Sequence, residues 1–318
     1  MRAVTDASFL SQSLLSRLTP ANVQPLSSRE YWTLTSIAPV DELDGLTAEE
    51  IGARFGVKRD FAERVRVLLG RGRALALAVE ELEHKGFWIL TADDERYPAR
   101  LRERLGDAAP AMLYGVGEGA LLSADGVGVV GSRDIGPDSA EVAAQIARFA
   151  ADRGAPVISG GARGVDRKAM NAALEVDGTV VGVLADSLLR TVGEPSVRRA
   201  VASGRLCLVT PYSPSSPFSA GNAMGRNKII YALARGTVVV RSDLDSGGTW
   251  AGAVEAISKK YGDVWSWLGA GAGPGNEALV QRGARALADV DGFDTILSAE
   301  LVAHHGGTIR EAATDTLF

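Results

Sequence analysis

Four glycine-containing segments of this 318-residue chain combine small, hydroxyl and basic side chains in the manner of phosphate-binding loops. In chain order they are GSR, SGGARGVD, GRNK and SGGT; three follow a short apolar run, and GRNK is predicted at the head of a helix. Glycine lets a backbone approach a ligand closely, and a helix N-terminus presents unpaired N–H groups to an anion. We therefore expect a phosphate-rich ligand. The predicted binding residues are Gly131, Ser132, Arg133, Ser159, Gly160, Gly161, Arg163, Gly164, Arg226, Asn227, Lys228, Ser246, Gly247, Gly248 and Thr249.

Several side chains in and beside these loops allow two interpretations. Asp166 stands near the start of a helix, where a carboxylate that caps the helix or clamps the loop is favoured over a catalytic one. Asn227 could hydrogen-bond a base, a sugar or the loop itself. Trp250 and Phe218 could stack on bases, although a tryptophan in such a position is more often half-buried.

The segment GVGVVGSRDIG matches a dinucleotide-binding fingerprint only in its glycine count. Gly126 and Gly128 fall before or inside the predicted strand rather than in the turn after it, and no acidic residue ends the second strand. This disfavours NAD, and we expect no cofactor. The sequence also contains no GxSxG elbow and no Cys–His pair, so we predict no catalytic residues.

The composition is that of an ordinary globular protein, with 46% hydrophobic and 23% charged residues. A net charge of −5 argues against a general polycation but leaves room for a local basic groove. The single cysteine, Cys207, is predicted on a buried strand, and the absence of a disulfide framework indicates the cytoplasm. No apolar stretch is long enough to span a membrane, and the three histidines form no metal-binding motif.

The chain from Val127 onward alternates apolar strands with amphipathic helices, which predicts an α/β fold with a doubly wound, Rossmann-like parallel sheet. Ligands of such sheets bind beyond the carboxyl ends of the strands, where the four loops fall. Residues 1–84 predict a small helical domain, with a capping box at Thr47 and Glu50 and a break at Gly56. This unit resembles a helix-hairpin that packs against a partner or contacts nucleic acid. Residues 85–295 are then the ligand-binding domain, and 296–318 a C-terminal tail.

From about Leu82 to Ala284 the chain resembles the DNA-processing protein A (DprA/Smf) family, within a superfamily that includes the LOG nucleotide hydrolases. The resemblance rests on Tyr97-Pro98, VVGSR, SGGARGVD, GRNKII, SGGT and the late PGN…GA segment, in this order and spacing. It implies single-stranded DNA binding, a homodimer, and transfer of DNA to a RecA-type recombinase during natural transformation. Transferred by motif, the residues that line the anion pocket are Arg133, Ser159, Gly160, Arg163, Gly164, Arg226, Asn227, Lys228, Ser246 and Gly247.

The chain also departs from the family's motifs. Met170 stands where a histidine usually follows the SGxAxGxD motif, and Leu189-Arg190 replaces a second Tyr-Pro. Thr210-Pro211 replaces an acidic residue, and SAGNAM is inserted before GRNK. These differences indicate a divergent member of the family.

Two other functions remain open on the sequence alone. A LOG-like nucleotide hydrolase would need a glutamate three residues after Thr249, but Gly252 is there and Glu255 comes one turn later. A nucleotide-binding sensor, for example in a defence system, would have the same sheet. The leading prediction is a non-catalytic protein that binds single-stranded DNA for DNA processing and recombination.

Overall fold

A computed structural model describes residues 6–298, which form fourteen α-helices and nine strands. The helices are α1 (Asp6–Leu15), α2 (Ser28–Thr35), α3 (Ala48–Phe55), α4 (Arg59–Leu69), α5 (Gly72–His84), α6 (Ala99–Leu105), α7 (Pro137–Asp152), α8 (Val165–Glu175), α9 (Leu188–Val192), α10 (Pro195–Ala202), α11 (Ala220–Leu233), α12 (Gly247–Lys259), α13 (Asn276–Gln281) and α14 (Asp294–Ser298). The strands are β1 (Phe87–Thr91), β2 (Met112–Gly117), β3 (Val127–Val130), β4 (Val157–Ser159), β5 (Val180–Val183), β6 (Leu206–Thr210), β7 (Gly236–Val239), β8 (Asp263–Trp267) and β9 (Arg285–Leu287).

The N-terminal helices begin and end where the sequence carries boundary signals. Thr47 caps α3 by accepting a hydrogen bond from the Glu50 amide, and the Glu50 carboxylate accepts one from the Thr47 amide at 2.8 Å. Gly56 ends α3 in the left-handed conformation, with a φ of 68°, which glycine adopts without a steric penalty. The predicted helix pair on either side of Gly56 is confirmed as α3 and α4.

The strands form one sheet in the order β1-β2-β6-β5-β4-β3-β7-β8-β9. All neighbours from β6 to β9 pair in parallel. From β3 the chain builds outward through β4, β5 and β6, and then returns to the other side of β3 with β7. The strand order therefore reverses between β3 and β7, and a crevice opens at such a switch point. The predicted doubly wound, Rossmann-like α/β fold is confirmed.

Two hydrophobic cores cover the two faces of the sheet. One contains α7, α8 and the N-terminal helices, and it is continuous from Leu14 through Tyr31 and Ile51 to Val127. The other lies under α6, α11, α12 and α13, and it includes the buried Cys207, as predicted. Burial on both faces explains why the parallel strands read as continuous apolar runs.

Two strands that precede the predicted parallel region form an antiparallel edge of the sheet. β1 and β2 are antiparallel to each other, and β2 is antiparallel to β6. The opposite edge strand, β9, was not predicted, since its three residues carry no strand pattern.

None of the described helices is long and apolar enough to cross a membrane. Of the predicted tail, only 296–298 are described, in α14, and the remainder lies outside the described residues.

Polar contacts attach the N-terminal helices to the edge of the sheet formed by β1 and β2. The Tyr31 hydroxyl donates a hydrogen bond to the Asp93 carboxylate at 2.7 Å, and Ser11 donates to the same oxygen. Arg71 donates to the carbonyl of Ser13 in the last turn of α1 and to that of Ser16 just after the helix. The helices and the sheet therefore share both a core and a partly buried polar network.

The ion pair between Glu30 and Arg64 makes stability depend on pH. Burial alone would raise the pKa of Glu30, but hydrogen bonds from Arg64 and Ser27 outweigh it and lower the pKa to about 2. Because this value is below the ordinary 4.5, the ionised carboxylate stabilises the fold above about pH 5, and that contribution is lost as the pH falls toward 2.

We expect Glu30→Gln to lower the free energy of unfolding by about 1 kcal/mol near neutral pH, after allowance for solvent screening. The loss should disappear toward pH 2. Urea titrations at several pH values measure it, with the exposed Glu81→Gln as the control. Parallel pH profiles for the two variants would contradict the prediction.

Candidate nucleic-acid interface

The GSR loop follows β3 and is held by the loops that follow β4 and β7. The Ser132 amide donates a hydrogen bond to the Arg241 carbonyl at 2.9 Å, and the Val165 amide donates to the Ser132 carbonyl at 3.3 Å. Gly164 has a φ of +88°, and a Cβ on it would stand 2.3 Å from the Ser132 carbonyl oxygen. The close approach of the two loops therefore requires glycine at this position.

Asp166 clamps the loop after β4, which confirms its predicted structural role. Its carboxylate accepts a hydrogen bond from the Gly160 amide at 3.2 Å, and the residue is buried. Burial raises the pKa of Asp166, and this rise is opposed by Arg226 and by the amides of Ala162, Gly160 and Gly131. The carboxylate is thus fully engaged in holding the loop and its neighbouring cation.

The GRNK segment lies inside α11 rather than at its head, so this part of the prediction was wrong. Helix α11 begins at Ala220, where the Ser219 side chain accepts a hydrogen bond from the Asn222 amide. The inserted residues SAGNAM thus supply the cap and the first turn and a half. Arg226 and Lys228 therefore act through their side chains and not through a helix N-terminus.

Arg226 places a buried guanidinium at the centre of the site. The residue is 6% exposed, and its Nη1 lies 3.9 Å from Asp166 Oδ2, while its Nε has no hydrogen-bond partner among the described residues. Burial lowers the pKa of Arg226; Asp166 opposes this, and the nearby Arg133 adds to it. Since a guanidinium stays protonated in proteins, the two neighbouring cations together favour an anion.

The SGGT segment forms the N-terminus of the thirteen-residue helix α12. Ser246 is the N-cap residue, but its side chain makes no capping hydrogen bond. No atom lies within 4 Å of a Cβ built on Gly247 or Gly248, so the first turn of the helix is open on the side that a side chain would occupy. The Asn227 Nδ2 donates to the Gly248 carbonyl at 3.2 Å, which assigns its side chain to the loop among the three predicted alternatives.

These segments surround a first cavity of about 720 Å³ at the switch point between β3 and β7. Arg241, Asp134 and Asp243 also line it, although they are not among the residues predicted from the sequence. The sequence could have indicated Arg241 as a binding residue, since it directly follows an apolar run that is predicted to be a strand ending at the ligand-binding edge. The predicted residues that line the cavity are Gly131, Ser132, Arg133, Phe218, Arg226, Asn227, Ser246, Gly247, Gly248 and Thr249.

A second cavity of about 660 Å³ adjoins the first, between the loop after β4 and helices α9 and α10. Among the predicted residues it is lined by Gly160, Gly161 and Arg163, together with Arg133, Phe218 and Arg226, which line both cavities. Arg163 is exposed and forms an ion pair with Asp134 at 2.6 Å. The predicted loops therefore surround two neighbouring spaces rather than one.

The two aromatic candidates differ sharply in exposure. Phe218 is 52% exposed, and the Arg133 guanidinium lies 5.5 Å from its ring centroid. Trp250 is 7% exposed, packs in the core below α12, and has the Arg282 guanidinium 5.1 Å from its ring centroid. The burial of Trp250 argues against the stacking interpretation and favours the packed one, because helix packing already occupies the ring.

Three further predicted residues line neither cavity. The Ser159 hydroxyl donates to the Val129 carbonyl at 2.6 Å and is buried. Gly164 supports the close approach of two loops, and Lys228 lies half-buried on α11. Glu255, the displaced glutamate of the hydrolase alternative, lies outside both cavities and accepts a hydrogen bond from the Tyr261 hydroxyl at 3.0 Å.

Asn276 positions the loop after β7, a role that its sequence motif alone does not indicate. Its Nδ2 donates to the carbonyls of Val239, Val240 and Trp267, at 2.8–3.2 Å. Its Oδ1 accepts from the amides of Ser242 and Gly273 at 2.8 and 3.0 Å. One buried amide therefore satisfies five backbone groups and fixes the wall of the first cavity.

Comparison with known proteins identifies relatives of this sequence and fold. Residues 88–297 match the family model for DNA recombination-mediator protein A. The putative DNA processing protein DprA of Mycobacterium tuberculosis is 28% identical, over 85% of this chain and 70% of its own. Protein Smf of Escherichia coli is 30% identical, over 64% and 54%.

Two solved structures share the fold at 22% sequence identity. DNA processing protein A of Streptococcus pneumoniae superimposes with a TM-score of 0.68, over 94% of this chain and 99% of its own. The Helicobacter pylori protein superimposes with a TM-score of 0.54, over 67% and 96%, and its structure is described as giving insight into a unique single-stranded DNA binding mode.

We expect Asn276→Asp to reduce the free energy of unfolding by about 3 kcal/mol, because the carboxylate would face three carbonyl oxygens without a donor. Urea denaturation measures the change. The exposed Asn171→Asp is the matched control and should change stability by no more than about 0.5 kcal/mol. Equal effects of the two substitutions would show that the network does not hold the loop.

Proposed function

This chain belongs to the DNA recombination-mediator protein A family, and from that premise we propose that its switch-point cavity binds single-stranded DNA without chemical conversion of it. The chain is thus a DNA-processing protein of that family. The H. pylori relative binds single-stranded DNA, which supports the choice of ligand. The site itself supplies the physical argument.

The observation that carries the proposal is the convergence of Arg133 and Arg226 with the open N-terminus of α12 on one cavity. Arg226 is held rigid by burial, so it can meet a phosphate at little entropic cost. The helix terminus adds backbone donors and a partial positive charge. Such donors read phosphates and not base edges, which supports binding that is independent of sequence.

The first cavity is lined by equal numbers of arginines and carboxylates, but not all of these charges are paired with one another. Asp134 is paired with Arg163, and Asp166 accepts from loop amides beside Arg226. Arg133 makes no ion pair among the described residues, and Arg241 donates to the Ala272 carbonyl at 3.2 Å. Among the described residues, Arg133 and Arg241 thus have no carboxylate partner, whereas Asp243 is the one lining carboxylate without a cation partner. The excess of unpaired positive charge supports a phosphate ligand despite the acidic chain.

Phe218 supports the binding of a polynucleotide rather than of phosphate alone. Its exposed ring stands at the mouth of the cavity, with the Arg133 guanidinium close to one face. A base could stack on the ring while its phosphate meets Arg133. Stacking of this kind tolerates every base, because each has a π face.

Family membership supports two further proposals about the protein at work. We propose that it associates as a homodimer and that it transfers bound DNA to a RecA-type recombinase during DNA processing and recombination. In such a handover the protein must release DNA, which favours many modest phosphate contacts over a few very strong ones.

We expect Arg133→Ala to weaken binding to a labelled oligothymidylate about tenfold, because one charged contact to phosphate is lost. The loss should be similar for all sequences, and the salt dependence of the affinity should become shallower by about 0.7 in the log–log slope. Fluorescence anisotropy at several salt concentrations measures both quantities. Arg148→Ala, on the outer face of α7, is the control, and an equal effect of the two would overturn the proposal.

We expect Phe218→Ala to weaken binding by about 1–3 kcal/mol with little change in the salt slope, since stacking involves no counterion release. Phe218→Trp should keep most of the affinity, because the larger ring also stacks. The same anisotropy titrations separate this pattern from that of Arg133→Ala. Equal losses for alanine and tryptophan would mean that Phe218 does not stack on a base.

A further inference from the structure

The second cavity carries more positive charge than the first. Five arginines and two carboxylates line it, whereas three of each line the first cavity. The arginines are Arg133, Arg163, Arg167, Arg190 and Arg226, and the carboxylates are Asp186 and Glu194. Phosphate groups favour a space with this excess.

Ion pairs within the rim leave part of this charge available. Arg190 pairs with Asp186 at 2.6 Å one turn away on the chain, and Arg163 pairs with Asp134. Arg167 on α8 is exposed and makes no ion pair with any described residue. It is therefore the rim cation most available to a ligand.

The floor of the second cavity is apolar. It is formed by Met170, Leu174, Leu184, Leu206 and Leu208. Met170 reaches the sheet because Gly182 leaves room: a Cβ built on Gly182 would lie 3.0 Å from the Met170 methyl group. An apolar floor below a cationic rim suits a nucleotide, whose base is flat and apolar on its faces and whose phosphate is charged.

The two cavities are neighbours that share part of their lining. Arg133 and Phe218, in contact with each other, line both, and the buried Arg226 lies between them with its Nε unpartnered among the described residues. A strand bound in the first cavity that passes Phe218 enters the second directly. Two of the lining residues, Met170 and Arg190, are positions where this sequence departs from the family's motifs.

We propose that the second cavity is a continuation subsite, which holds the next nucleotide of the same single strand with its base on the Met170 floor and its phosphate at Arg167. The inference rests on the proposed function of the first cavity. Phe218 then acts as a divider between consecutive bases. A free mononucleotide offers the same chemistry, so the test must distinguish the two sources.

The test is a ladder of oligothymidylates lengthened one nucleotide at a time, titrated against wild type, Arg167→Ala and Arg198→Ala. Arg198 is an exposed arginine on α10 that does not line the cavity, so its removal changes net charge equally. Met170→Glu, which puts a carboxylate on the floor, is a second variant, and thermal melting checks its fold. Thymidine monophosphate is titrated alongside.

We expect Arg167→Ala to match wild type on the shortest oligonucleotides and to bind longer ones about tenfold more weakly, with a salt slope shallower by about 0.7. Arg198→Ala should match wild type at every length. Equal curves for Arg167→Ala and Arg198→Ala would overturn the subsite, as would an Arg167-dependent mononucleotide affinity without any length effect. Wild type that binds no oligonucleotide would instead overturn the proposed function itself.

Discussion

The guanidinium of Arg226 fills the space in which any side chain at position 160 would have to lie. A Cβ built on Gly160 would stand 1.4 Å from Nη1 of Arg226, and the amide of Gly160 is held by Asp166. The Gly160 loop, the Asp166 carboxylate and the Arg226 guanidinium therefore form one unit that joins β4, α8 and α11. Removal of either charge would leave the other buried without compensation, which costs several kcal/mol. The position of both cavities depends on this assembly, because Arg226 lines the two of them.

The parallel part of the fold could be predicted because its signals are local. Apolar runs such as VVGV and LCLV alternate with amphipathic helices, and the carboxyl ends of parallel strands meet at one edge. For the same reason, the positions of Arg133, Gly160 and Gly247 in the sequence are enough to predict that they lie at that edge. The orientation of β1 and β2 could not be predicted in this way, because it depends on where the chain returns and not on the pattern within each strand.

The details of the site depended on packing that a sequence pattern does not contain. The residues SAGNAM moved the helix start upstream, so Arg226 emerges from mid-helix and becomes buried. Trp250 follows a glycine loop as a stacking residue would, but the turn of α12 directs it to the core. The role of Asn276 depends on hydrogen bonds to three separate segments of backbone, and the PGN motif that contains it does not predict these partners.

The continuous core from Leu14 to Val127 has a consequence for how the molecule opens. The N-terminal helices have no separate core that could survive the loss of the sheet, so their most protected amides exchange with solvent only when the whole chain unfolds. A ligand that binds only the folded state raises the free energy of that global event. Occupation of the cavities would thus slow hydrogen exchange in α1, at the far edge of the sheet from the ligand, without any change in the structure of that helix.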